Sequence, residues 1–189
     1  MTHSSPRLNS IEPEAATGKT AAIYGQIKSL MHRVPNLFKG LANSPQALEA
    51  YMALEQFIND GSLTPVEHQI IRMVASVHNE CTYCVAAHTL GLKGAGLNDA
   101  EILDVRRGIS GNEKLQALIV FVQEMLSTKG FVSDDDLAAV RAAGYTDANI
   151  ADIHVVIAQK TLSNLFNHVN DTVLDFPAAP ALDESFTGV

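Results

Sequence analysis

Helix starts are spelled out in side-chain chemistry along this chain, and no segment alternates apolar and polar residues as a half-buried strand would. Ser44 places a capping hydroxyl before Pro45 at the first helical position, with Leu48, Met52 and Phe57 following near helical spacing. Thr64, Pro65, Val66 and Glu67 form a capping box with proline in the first turn. Asn98 with Glu101, inside a Leu97/Ile102 staple, marks another start. Ser133 before Asp134, Asp135 and Asp136 sets carboxylates at a positive helix end, Gly144 closes that helix, and Thr146-Asp147 opens the next. The last helix carries Ile150, Ile153, Ile157, Leu162, Leu165 and Val169 as one apolar stripe. These signals predict an all-α helical bundle of eight or nine helices. They place a single domain over residues 17–175, with a flexible N-terminal arm over 1–16 and a tail over 176–189. Gly108 to Asn112 reads as a loop within that domain, not a boundary.

Charge narrows the partners. The net charge is −8, with no basic patch, so nucleic acid is not expected. The longest apolar run, Ala117 to Val122, is too short to span a bilayer, so no membrane partner is expected. Residues 1–19 lack the apolar stretch of an export signal, which makes the expected location cytoplasmic. Charged residues make up 18%, below the usual quarter, and a surface so poor in charge fits burial against copies of itself in a homo-oligomer.

Both cysteines stand together, as Cys81-Thr82-Tyr83-Cys84, with His88 four residues on. A structural disulfide framework would spread its cysteines to close long loops. With a helix beginning near Asn79 as its cap, Cys81, Cys84 and His88 share one face, and Val85 and Leu92 turn that face inward. A helix N-terminus stabilises a thiolate, and an imidazole in reach can accept its proton. Attack on a peroxide oxygen gives a sulfenic acid, which a second thiol one turn away converts to a disulfide. A dithiol then restores the pair by exchange. The helix dipole favours Cys81 as the attacking sulfur, and proximity to His88 favours Cys84. We take Cys84 as attacking and Cys81 as resolving. A zinc site lacks a fourth donor, because His78 could join Cys81, Cys84 and His88 only if the chain bent back. Neither a metal nor another cofactor is therefore expected. Two inert core cysteines are the plainer alternative.

The run from Leu63 to Leu97 resembles the AhpD-like, carboxymuconolactone decarboxylase family. The resemblance rests on Thr64-Pro65-Val66-Glu67-His68-Gln69, Val74 to Asn79, and the Cys81/Cys84/His88 spacing, with weaker similarity from Asp152 to Asn170. It implies an all-α homo-oligomer and an antioxidant peroxidase that reduces alkyl hydroperoxides through a Cys81/Cys84 disulfide cycle. The electron donor it implies is a dithiol, lipoyl or thioredoxin-like. Two departures stand out. The family's relay glutamate falls at Gln69, which cannot shuttle a proton. Tyr83 stands between the cysteines where a studied type of member has a histidine. These departures make thiol–disulfide exchange with a protein or lipoyl dithiol the alternative reaction, and the low charge and long apolar helices leave a further one, a non-redox lyase or assembly module.

Further candidates surround this element. Glu67 and Glu80 are possible substitute bases, although a capping role suits the first and a helix-end role the second. Asn164 and His168 lie one turn apart, positioned to line the pocket or to bond across a subunit interface. His154, set among isoleucines, reads as a core histidine, and Met31, Phe38, Met52, Phe57 and Met73 read as core filling.

Overall fold

The computed structural model describes residues 5–182. Within them the chain forms nine α-helices after a short 3-10 turn at Pro13–Ala15, and no strand. The helices are α1 (Gly18–Met31), α2 (Asn36–Leu41), α3 (Pro45–Asp60), α4 (Pro65–His78) and α5 (Thr82–Gly94), followed by α6 (Asp99–Arg106), α7 (Glu113–Ser127), α8 (Asp134–Ala142) and α9 (Asp147–Asn170). None is long and apolar enough to cross a membrane.

The caps form as written. Ser44 accepts from the Ala47 amide, and capping boxes close at Thr64/Glu67, Asn98/Glu101, Ser133/Asp136 and Thr146/Asn149. Each contributes roughly 1 kcal/mol by satisfying an orphaned amide. Because these bonds span three residues, they mark helix starts without calling on a tertiary contact.

Helix α4 is the hub. It packs on α5, α6, α7 and α9, and Ile70, Ile71, Met73 and Ala75 are fully buried. A helix enclosed on most of its circumference is a core helix, and each large side chain there contributes about 1.5–3 kcal/mol by burial. Two apolar clusters meet along it. One joins α4, α6, α7, α8 and the first half of α9. The other joins α1, α2 and α3, and takes in Cys81, Tyr83 and Cys84.

Several expectations shift. Asn79 does not cap α5; it closes α4, and its amide donates to Asn164 Oδ1 at 2.9 Å, so the side chain is committed elsewhere. Glu80 then takes a left-handed turn, and Cys81 becomes the cap of α5. Val85 and Leu92 pack in the first cluster, not beside the sulfurs. Met31 and Phe57 are exposed, as is His154, whose Nδ1 lies 2.7 Å from the Ile150 carbonyl. The stripe on α9 also turns: Leu165 and Val169 face outward, while Gln159, Lys160, Ser163, Asn164 and Asn167 face in. The polar half of this helix is buried because it meets the cysteine end of α5, not an apolar wall.

The segments outside the helices lie along this body. The Arg7 amide donates to the Asn170 carbonyl and the Ile11 amide to that of Lys39. Beyond α9, Asp175 and Phe176 return to α2 and α5.

Candidate functional site

The start of α5 sits where the two apolar clusters meet, clamped from both sides. The Cys81 amide donates to the Ser76 carbonyl at 2.9 Å, and Asn164 ties Ser76 and Asn79 to α9. Cys81 Sγ, as the helix cap, accepts from the Cys84 amide at 3.4 Å. The cysteines are free and buried, with their sulfurs 2.7 Å apart. Asn167 donates to Cys84 Sγ at 3.2 Å and approaches Cys81 Sγ at 3.8 Å.

The surroundings split the pair. The Cys81 thiol, donating to Cys84, holds the Cys84 thiol down to about 6; burial opposes this, and the Lys160 charge and the Asn167 and Asn164 amides reinforce it. Cys81 is pushed up, by sharing its proton with Cys84 and then by burial. One sulfur is therefore a thiolate near neutrality and the other keeps its proton. Access agrees with this division, because Cys84 lines a cavity of about 810 Å³ and Cys81 lies behind it.

That cavity opens between α1, α3 and α5. Leu30, Met31, Leu37, Phe38, Met52 and Phe176 give it apolar walls, while Glu55, Gln69, Arg72, His88 and Lys160 gather on one side. Lys160 is 3% exposed and donates to Tyr51 Oη at 3.1 Å and to His88 Nε2 at 3.2 Å. An ammonium only donates, so His88 Nε2 is the acceptor, and its Nδ1–H donates to Gln69 Oε1 at 3.1 Å. Burial, then the Lys160 and Arg72 charges, push the imidazole well below its usual range, so the ring is neutral. Gly91 makes room for this arrangement: a Cβ there would collide with the Gln69 side-chain amide. Glu55 accepts from Arg72 at 2.9 Å and from Gln159 at 2.7 Å. Burial raises its carboxyl, but Arg72, Gln159 and Lys160 outweigh that and hold it below the ordinary range.

The structure thus gathers Cys81, Cys84, His88, Gln69, Tyr83 and Asn164. It ties both nitrogens of His88 to Gln69 and Lys160, which differs from the expected partnership with Cys84. Tyr83 points the other way along the wall, donating to Asp175 Oδ1 at 2.7 Å and accepting from the Leu37 amide at 3.2 Å. Phe176 meets the Tyr83 ring edge-on at 5.4 Å. Three candidates lie elsewhere. Glu67 is spent on its capping box and on Lys114, and Glu80 and His168 are exposed on outer faces. Sequence reasoning missed Lys160, Asn167, Glu55, Arg72 and Tyr51 as parts of the site. A signal was present for the first two: Ile153, Val156, Lys160, Asn164 and Asn167 follow one another at steps of three and four, which sets a lysine inside a buried face.

Residues 45–117 match the model of the carboxymuconolactone decarboxylase family. An uncharacterized peroxidase-related protein with an alkylhydroperoxidase AhpD core, from Ralstonia eutropha JMP134, superposes with a TM-score of 0.81 at 25% identity, over 92% of this chain and 94% of that one. The chain has the AhpD-like fold, and its residues 45–117 resemble the carboxymuconolactone decarboxylase family. An uncharacterized peroxidase-related protein from Silicibacter sp. TM1040 shares the AhpD-like fold at a TM-score of 0.78 and 18% identity, over 92% and 95% of the two chains. So does the debrominase Bmp8 in complex with 2,3,4-tribromopyrrole, at 0.77 and 14%, over 89% and 91%. At those identities the likeness shows the AhpD-like fold alone. No curated protein matches the sequence significantly.

Proposed function

We propose that this AhpD-like chain reduces organic hydroperoxides through a Cys81/Cys84 dithiol–disulfide cycle. The observation that carries this reading is the sulfur pair, 2.7 Å apart, with only the low-pKa member opening onto a large apolar-walled cavity. Cys84, as thiolate, attacks the peroxide oxygen and becomes a sulfenic acid. Cys81, one turn away and still protonated, condenses with it and releases water. A dithiol of lipoyl or thioredoxin type then reduces the disulfide by exchange. Walls built from Leu30, Met31, Phe38 and Met52 fit a substrate carrying hydrocarbon better than hydrogen peroxide.

The same pair would also serve dithiol–disulfide exchange alone, and Gln69 in the relay position favours that second reading. Rapid exchange with dihydrolipoamide and no peroxide turnover would select it. A homo-oligomer belongs to both readings, since α9 presents Leu165 and Val169 outward at 55% and 59% exposure.

The decisive experiment is intact mass after one equivalent of cumene hydroperoxide. The wild type is expected to lose about 2 Da, and Cys81→Ser to gain about 16 Da at Cys84. If Cys84→Ser consumes peroxide as fast as the wild type, the cycle is wrong.

A further inference from the structure

Attack by a thiolate on a hydroperoxide leaves an alkoxide, and that alkoxide needs a proton inside a cavity walled by hydrocarbon. We propose that Lys160 is the acid that supplies it, with His88 and Tyr51 serving to hold Lys160 in place. This inference rests on the peroxide reading above and adds a catalytic residue to it.

Polar groups face this end of the cavity from four helices. From α3 come Tyr51 and Glu55; from α4, Gln69 and Arg72; from α5, Cys84 and His88; and from α9, Lys160. Glu55 is held ionised by Arg72 and Gln159 and has no proton to give. Arg72 is bound to that carboxylate, and a guanidinium does not release its proton in proteins. Gln69 does not titrate. The His88 ring is neutral, with its one N–H committed to Gln69 and its other nitrogen filled by Lys160. Lys160 remains. Its ammonium carries three N–H groups, and two are used, on Tyr51 and His88. Among the described residues no carboxylate lies within ion-pair distance of it. A buried lysine without a direct carboxylate partner is costly to keep, and Lys160 lines the same cavity as Cys84.

The bookkeeping of atoms closes. The Cys84 thiolate takes the terminal oxygen of ROOH; the O–O bond breaks, a sulfenic acid forms, and RO⁻ departs. The Lys160 ammonium protonates RO⁻ to the alcohol and becomes an amine. Cys81 thiol and Cys84 sulfenic acid give the disulfide and water, so two electrons have passed from sulfur to oxygen. A dithiol reductant then becomes a disulfide and returns two electrons and two protons. One proton restores the Cys81 thiol, and the other restores the Lys160 ammonium opposite a Cys84 thiolate.

The test compares leaving groups. Cumene hydroperoxide leaves as a strongly basic alkoxide that needs an acid, while perbenzoic acid leaves as benzoate, a weak base that does not. Cys84 oxidation is followed by stopped flow in the wild type, Lys160→Met and Lys160→Arg. Lys160→Arg keeps the charge beside Cys84 but gives up no proton, and it answers alone if Lys160→Met fails to fold. Both variants are expected to lose on the order of 100-fold with cumene hydroperoxide, the scale of general acid catalysis, and under about tenfold with perbenzoic acid. Equal losses on the two substrates would overturn the inference, because Lys160 would then act only through the Cys84 thiolate. An unimpaired Lys160→Arg with cumene hydroperoxide would overturn it too. A wild type that reacts with neither oxidant sinks the peroxide reading, and this inference with it.

Discussion

Replacing Asn167 by leucine isolates one of the groups that make Cys84 acidic. The amide donates to Cys84 Sγ at 3.2 Å from a helix that arrives 83 residues later in the chain. A hydrogen bond to a charged acceptor is worth about 1.5–3 kcal/mol, and one pKa unit corresponds to 1.36 kcal/mol. Loss of the bond should therefore raise Cys84 by about one to two units, from about 6 toward 7–8. The sign follows from the charge: the amide stabilises the thiolate only, so its removal favours the thiol. At pH 7 the wild type holds roughly ten thiolates per thiol, and the variant between about one per thiol and one per ten. The assay is iodoacetamide modification of the reduced protein across pH, with Cys84 followed by peptide mass. Its readout is the midpoint and not the rate at one pH, because a thiolate of higher pKa is also intrinsically more nucleophilic. A folded Asn167→Leu variant whose midpoint stays near 6 would refute the claim that this amide helps hold the charge.

Two other outcomes follow from the same site. Glu55→Gln leaves Arg72 without its carboxylate, and should cost about 3 kcal/mol, the low end for a broken buried pair because the Glu55 side chain is 28% exposed. Because the Glu55 carboxyl is depressed in the fold, the wild-type advantage should be full above the ordinary carboxylate range and vanish as pH falls below it, readable in denaturant midpoints. Gly91→Ala should drive the Gln69 amide off His88 at a cost of about 1–3 kcal/mol, and slow Cys84 oxidation without moving the alkylation midpoint as far as Asn167→Leu does.

The local chemistry of the chain was legible wherever a bond spans three or four residues. The caps at Ser44, Thr64, Asn98, Ser133 and Thr146 are such bonds; the bond from the Cys84 amide to the Cys81 sulfur is another, although the sequence points to Asn79 for that cap. Asn79 marks the limit of that logic. It has the chemistry to start a helix, yet it ends one, because Asn164 claims its amide from 85 residues away. His168 and Asn167 mark it again. They are neighbours in sequence, one exposed and one on the sulfurs, and only the rotation of α9 against α5 separates them.

By itself the sequence determined that the chain would be helical, where most helices begin, and that two sulfurs would meet at the head of one of them. The tertiary structure decided which sulfur carries the charge. The Cys81 thiol acts most strongly, through the bond it donates to Cys84, and Lys160 and Asn167 reinforce it, brought to His88 and to the sulfurs across 72 and 83 residues. No periodicity in α5 can report a charge contributed by α9. An electrostatic field acts through space, and the distances that set it exist only once the two helices have packed.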